Sequence, residues 1–218
     1  MLKRKKEHVY ISCCSHTKPE WAMALTIQDV MRDASKNGVK TTIKPRLGEA
    51  LIDRARNNEI VEFLRKPNYT HFFSVDDDLV FPPNTLTKLL KEDKDVIGGI
   101  YRLKYDEPML AIRVSRNGAK WNEILKSELV VPAIYVSTGC MLVKRSTIET
   151  MVEKYTELAY TRNMTADKGY ALFMPYIYRT EYLSEDWAFC QRAKDLGFEI
   201  WTHGGIKLGH WGKKLYRF

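Results

Sequence analysis

Strand-like and helix-like segments alternate through roughly the first hundred residues, and that rhythm leaves few folds open. His8–Cys14 is a short β-branched and aromatic run, the first strand. Met23, Ile27, Val30, Met31 and Ala34 follow at helical spacing, with Gly38 placed to end the helix in a left-handed conformation. Val39, Thr41 and Ile43 alternate as a strand that Pro45 is expected to stop. Gly48–Lys66 reads as a second helix closed by Pro67, and Tyr69–Val75 as a third strand running directly into Asp76-Asp77-Asp78. Pro82-Pro83-Asn84 opens a helix carrying Leu86, Leu89 and Leu90, and Val96–Tyr101 is a fourth strand. Three β-α-β crossovers predict an α/β fold with a mainly parallel central sheet and helices on both faces.

The second half changes character. Leu110–Val114 and Ala119–Trp121 flank Asn117-Gly118 and predict an antiparallel hairpin. Ala133–Val143 is strand-rich around Ser137-Thr138-Gly139, and Ser146-Thr147-Ile148-Glu149 fits a capping box opening a short helix. Tyr155–Thr180, rich in Tyr and Met, is expected to be an irregular loop packing on a ligand. Glu185–Leu196 is helical, Gly197 ends it, and Phe198–Trp201 is the expected last strand, leaving a Gly- and Lys-rich tail through Phe218. Without internal repeats or a low-complexity linker, residues 1–218 are expected to form a single domain with a smaller antiparallel part.

Composition narrows the classes further. At 44% hydrophobic and 11% aromatic residues the chain can build a core, which argues against bulk disorder. No stretch approaches the roughly 20 apolar residues of a membrane span. Met1–Lys6 has the charge of a leader peptide, but the apolar run Val9–Cys14 is too short and gives way to Ser15-His16-Thr17-Lys18. A net charge of +8 favours an anionic partner: a nucleotide, a nucleic acid or an acidic membrane surface. Cys13, Cys14, Cys140 and Cys190 form no CxxC pair, and the adjacent two point to opposite faces of a strand. They are expected to be reduced core thiols of a cytoplasmic protein.

Asp76-Asp77-Asp78 carries the most chemistry. Three consecutive carboxylates at the end of an apolar strand repel one another, and Leu79-Val80-Phe81 after them is apolar too, which argues against a solvated turn. Asp76 and Asp78 point the same way in an extended chain, and their hard oxygens suit Mg²⁺ or Mn²⁺. The place fits as well, because ligands of open α/β sheets sit beyond the carboxyl ends of the strands.

Hydrophobic strand, D-x-D, then a helix after prolines resembles the metal and nucleotide motif of GT-A glycosyltransferases. Ala55-Arg56-Asn57 resembles that family's "aRN" element, and Gly98-Gly99-Ile100-Tyr101 with Lys104 resembles the strand after the D-x-D. Thr138-Gly139-Cys140-Met141-Leu142 resembles the strand beside the sugar pocket, and Glu185-Asp186-Trp187-Ala188-Phe189-Cys190 the helix start on the acceptor side. The resemblance covers residues 8 to 212 or so, with a nucleotide-binding half at about 8–105 and an acceptor-side half at about 106–218. In size it is similar to small viral or bacterial enzymes without membrane anchors, placing the protein in the cytoplasm, a host's if viral.

The resemblance implies a metal-dependent transferase using Mn²⁺ or Mg²⁺. It would move a sugar from a nucleotide-diphosphate donor, UDP-sugar favoured, to an acceptor hydroxyl on a glycan or glycoprotein. Asp76 and Asp77 would contact the donor, with Arg54, Arg56, Lys104 and Lys213 as further donor-binding residues. Arg54 and Arg56 diverge on their helix, so at most one faces the nucleotide, and the resemblance favours Arg56. Asp78 and His210, with Asp76, would hold the metal on the diphosphate. His210 lies in Gly209-His210-Trp211-Gly212-Lys213-Lys214, similar to the tail that completes the metal shell in several such enzymes. Asp186 supplies a candidate base for inversion, although that tail is also frequent in retaining enzymes.

Two other readings compete. Asp76-Asp77-Asp78-Leu79-Val80 also fits the nucleophile motif of haloacid-dehalogenase-type phosphatases, but it follows the third strand rather than the first, and no convincing second acidic pair comes after it. The charge, with Lys3-Arg4-Lys5-Lys6 and Lys207, Lys213, Lys214 and Arg217, suits a nucleic-acid-directed enzyme such as a glycosyltransferase of modified DNA bases. Elsewhere the basic residues are dispersed and no nucleic-acid-binding motif is present.

Overall fold

The computed structural model describes residues 6–107, 109–114, 124–125, 127–162, 165 and 167–218. The hairpin expected at 110–121 falls mostly outside them, as do Lys3, Arg4 and Lys5. Strands β1 (His8–Ser15), β2 (Lys40–Leu47) and β3 (His71–Asp76) alternate with helices α1 (Trp21–Lys36) and α2 (Ile52–Leu64). After the two-residue strand β4 (Leu79–Val80) come α3 (Thr85–Lys91) and β5 (Val96–Tyr101). The order β2-β1-β3 is parallel throughout. Between β3 and β5 lies β9 (Cys140–Lys144), antiparallel to both. Beyond β5 runs β14 (Ile200–Trp211), parallel to β5, and then the short β15 (Leu215–Tyr216).

Alternation along the central strands explains the layering. Val9, Ile11, Phe73, Val75, Ile97 and Leu142 face one apolar cluster, where Met23, Ile27 and Val30 of α1 and Leu86 and Leu89 of α3 meet them. Tyr10, Phe72, Val96, Met141 and Val143 face the other, against α2, α4 (Arg145–Lys154) and α5 (Glu185–Asp195). Both faces are covered, so these strands read as nearly continuous apolar runs.

The smaller pieces are antiparallel. β6 (Ile112–Arg113) pairs with β8 (Tyr135–Val136), β7 (Val130–Ala133) pairs with β14, and two hairpins join β10 (Ala159–Thr161) to β11 (Lys168–Tyr170) and β12 (Tyr176–Tyr178) to β13 (Glu181–Leu183). The stretch expected to be an irregular loop therefore holds a 3₁₀ turn and three strands.

Three sequence expectations need correcting. Pro45 does not stop β2, which continues to Leu47; β2 is an edge strand pairing β1 alone, where a missing N–H is tolerated. The capping box is not formed: α4 begins at Arg145 with no side-chain cap, and Glu149 instead pairs with Arg145 one turn away. The last strand does not end at Trp201 but runs twelve residues, through the supposed tail. Gly204-Gly205 bends it rather than ending it, because a Cβ on Gly204 would lie 2.2 Å from the Ile124 carbonyl oxygen. Gly38 and Gly197 do adopt positive φ beyond their helices, at 78° and 88°. All four cysteines are buried and free. No helix among the described residues is long and apolar enough to cross a membrane.

Candidate active site

The acidic run sits at the carboxyl edge of the sheet, where β1, β3 and β5 end and antiparallel β9 begins. Asp76 is the last residue of β3, and the chain turns at Asp77 and Asp78 before β4. That turn undoes the extended geometry that would have pointed Asp76 and Asp78 the same way. Each meets a different set of partners.

Asp76 faces α2. Its Oδ1 accepts a hydrogen bond from Arg56 Nη2 at 2.8 Å, while Arg56 Nη1 donates to Glu185 at the start of α5. Arg56 is 4% exposed, so its guanidinium is out of water while it serves two half-buried carboxylates. Burial raises the Asp76 and Glu185 carboxyls, and Arg56 opposes the rise in both. Gly139, just before β9, lets the chain pass close by: a Cβ there would stand 2.5 Å from the Tyr101 hydroxyl and 2.7 Å from Asp76 Oδ2.

Asp78 faces the other way, toward the end of β14. Leu79 pairs with His210 and Val80 with Gly209, and Trp211 N donates to the Asp78 carbonyl at 2.7 Å. This pairing carries the His210 ring to the acidic turn. Its Nδ1 lies 2.8 Å from the Arg102 carbonyl, which can only accept, so Nδ1 holds the proton. In the neutral ring Nε2 then turns a lone pair toward Asp78 Oδ1, 3.4 Å away. That oxygen is buried and has no hydrogen-bond partner. Lys104 pairs with the other oxygen, Oδ2. Burial alone would raise the Asp78 carboxyl, but Lys104, and His210 when its ring also carries a proton on Nε2, hold it below the ordinary carboxylate range.

Between these arms lies an open cavity of about 270 Å³, lined by Arg56, the three aspartates, Cys14, His16, Thr17 and Ile52. Burial raises the Asp77 carboxyl, against the Ser15 hydroxyl beside it. His16 and Thr17 carry no motif, and the one signal the sequence offers for them is their place directly after the carboxyl end of β1. Asp186 follows Glu185, and its Oδ1 accepts from Ser184 Oγ and, at 2.8 Å, from Trp187 N. Arg54 points elsewhere and forms a two-pronged pair with Glu49. Lys213 is exposed, and its neighbour Lys214 pairs with Asp106. His203 is buried and accepts from Gly205 N.

Among the described residues no group of three or more His, Cys, Asp or Glu side chains gathers to hold a metal. Of the expected set, Asp78 and His210 are together, while Asp76 is engaged by Arg56. The pair does fit a hard divalent ion: two ligating atoms at bonds near 2.1 Å would stand about 3 Å apart, close to the 3.4 Å between Asp78 Oδ1 and His210 Nε2.

Two solved structures share this architecture. "A197 from STIV" matches with a TM-score of 0.57 and 16% sequence identity, covering 96% of this chain and 93% of that one. GalNAc-T7, solved with UDP, GalNAc and Mn²⁺, matches with a TM-score of 0.54 and 11% identity over 97% of this chain. The match takes in 45% of the GalNAc-T7 chain. No family model and no curated protein matches the sequence. At these identities the likeness is one of fold, and the fold is GT-A-like.

Proposed function

We propose that this chain is a glycosyltransferase that moves a sugar from a nucleoside-diphosphate sugar, UDP-sugar favoured, to an acceptor hydroxyl on a glycan or glycoprotein. The observation that carries the reading is the Asp78–His210 pair. With the His210 ring neutral, a buried carboxylate oxygen facing the Nε2 lone pair is a costly arrangement unless a cation, a second ring proton or a metal ion, joins the two atoms. Mn²⁺ or Mg²⁺ bound there would offset the charge of the departing diphosphate. His210 would be held for that task by the Arg102 carbonyl, a common outer support of histidine ligands. The cavity between the carboxylates would take the donor, with Asp77 and the His16-Thr17 segment on its wall. Asp186, oriented by Ser184 and Trp187 at the positive end of α5, would take the acceptor's proton as the new bond forms. That role makes inversion the expected stereochemistry.

The test is a donor panel. The protein is incubated with Mn²⁺ and a series of nucleotide sugars, and hydrolysis without acceptor is followed. One donor is expected to be turned over slowly, and Asp78→Asn to weaken its Mn²⁺-dependent binding at least ~10-fold, as loss of an anionic ligand should. If no donor is bound or hydrolysed with any divalent ion, or if calorimetry finds donor affinity and metal dependence unchanged in Asp78→Asn, the reading fails.

A further inference from the structure

The position of Lys104 carries an inference beyond membership of a donor site. It stands just after β5 in a turn tied down on both sides. Leu103 N donates to the Met109 carbonyl at 2.8 Å, Lys214 Nζ pairs with Asp106, and Arg102 Nη1 donates to the Arg217 carbonyl at 3.0 Å. From this anchored turn the Lys104 stem runs along Gly212, where a Cβ would lie 3.0 Å from its Cδ and 3.5 Å from its Cε. Its ammonium then reaches Asp78 Oδ2. One oxygen of Asp78 is thus occupied by a mobile cation, and the other is buried, unpartnered and aimed at His210. Two other cations nearby are committed elsewhere: Arg56 to Asp76 and Glu185, Lys214 to Asp106. Lys104 keeps 39% of its side chain exposed on a four-carbon stem, so it can leave Asp78 by rotamer change alone.

An ammonium and a divalent ion compete for the same carboxylate. An ion arriving alone would have to break the Lys104 pair and leave two cations beside each other with no new anion. An ion arriving with a diphosphate supplies Lys104 with a replacement partner. We propose that Lys104 is an exchangeable counter-ion: it pairs with Asp78 in the free protein and passes to the donor's diphosphate on binding, so that divalent ion and nucleotide are taken up together. The inference rests on the metal site proposed above. It is a coupling between two ligands, and such coupling is reciprocal.

The experiment measures Mn²⁺ binding from the free-ion electron paramagnetic resonance signal, first with Mn²⁺ alone and then with the best binder among UDP, GDP, CDP and dTDP. It compares the unaltered chain with Lys104→Met, Lys104→Arg and Asp78→Asn. In the unaltered chain Mn²⁺ alone should bind weakly, and the nucleotide should strengthen it. Lys104→Met should bind Mn²⁺ alone about tenfold more tightly and, at saturating Mn²⁺, bind the nucleotide about tenfold more weakly, within the usual range of ligand coupling. Lys104→Arg should stay near the unaltered chain in both. A merely structural lysine would not give a gain in metal affinity. If Mn²⁺ binding needs Asp78 but both constants are unchanged in Lys104→Met, the counter-ion role is overturned and the metal site stands. If Asp78→Asn binds Mn²⁺ and nucleotide as the unaltered chain does, or nothing binds, the metal site falls and this role with it.

Discussion

Asp76 and Asp78 are separated by one residue, yet their surroundings are built on opposite plans. Around Asp76 the charges close on themselves: a buried arginine bridges it to Glu185 across the sheet edge. Around Asp78 one oxygen is capped by a half-exposed lysine and the other is left bare before a histidine. The first arm is rigid and complete, and the second is held open by strand pairing. The lesson is that the acidic run is no uniform patch of charge. One carboxylate fastens α2 and α5 to the sheet, and the other, two residues on, keeps a buried oxygen without a hydrogen bond. Stability should therefore answer to the first arm and metal response to the second.

The largest effect should follow removal of Arg56. Arg56→Met leaves two half-buried carboxylates without their cation, a loss of up to about 3–5 kcal/mol, measurable by denaturant unfolding. Its pH dependence has a definite sign. Burial already holds Asp76 and Glu185 above the ordinary carboxylate range, and without Arg56 they rise further. The folded variant then keeps protons that the unfolded chain has released, so its deficit against the parent should shrink from pH 7.5 to pH 5. A deficit that is absent at pH 7.5, or grows at pH 5, would break the contrast between the arms.

Asp186→Asn should leave stability almost untouched, because the amide oxygen can still accept from Ser184 and Trp187. Transfer should fall by about 10²–10⁴-fold, the range for a lost general base. Near-normal turnover, or a product that keeps the donor's anomeric configuration, would remove Asp186 from that role.

Gly139→Ala tests how tightly the first arm is packed. The new methyl meets the Tyr101 hydroxyl, Asp76 and Leu79, all under 3 Å, and should destabilise by about 1–3 kcal/mol. Gly209→Ala, on the second arm, meets Leu215 Cδ1 at 3.1 Å and should cost less. Equal losses in thermal unfolding would argue that both arms are equally rigid.

A modest stability effect is expected at His210. His210→Ala forfeits one hydrogen bond to the Arg102 carbonyl, about 1 kcal/mol, yet should raise the Mn²⁺ concentration for half-maximal activation about tenfold. An unaltered Mn²⁺ activation curve would return His210 to a structural role.

The sequence made the first arm's elements more legible than the second's. Val96–Tyr101 is a strand in both readings because apolar residues buried on both faces leave little else to form. Asp76 follows from the run of acids at a strand end and Arg56 from the resemblance, but the Arg56–Glu185 bridge spans 129 residues and no local pattern encodes it. His210 was singled out by resemblance alone. The strand that delivers it is hidden because Gly204-Gly205 reads as a breaker unless the backbone of Ile124, Ser127 and Leu129 is known to press against it. His16 was passed over for a related reason: its significance comes from the ends of other strands, not from its sequence neighbours.

The long reach of β14 also bears on how the protein comes into being. Its pairing with β5 joins segments far apart in the chain, with Arg102 and His210 108 residues from each other, and such non-local closure is slow. A chain made from its N-terminus exposes the acidic turn long before His210 exists. In that interval Asp76 has Arg56 at a separation of 20 residues and Asp78 has Lys104 at 26. Each acid's early neutralising partner thus lies within reach of the nascent chain, which keeps the turn from repelling itself until the last strand arrives.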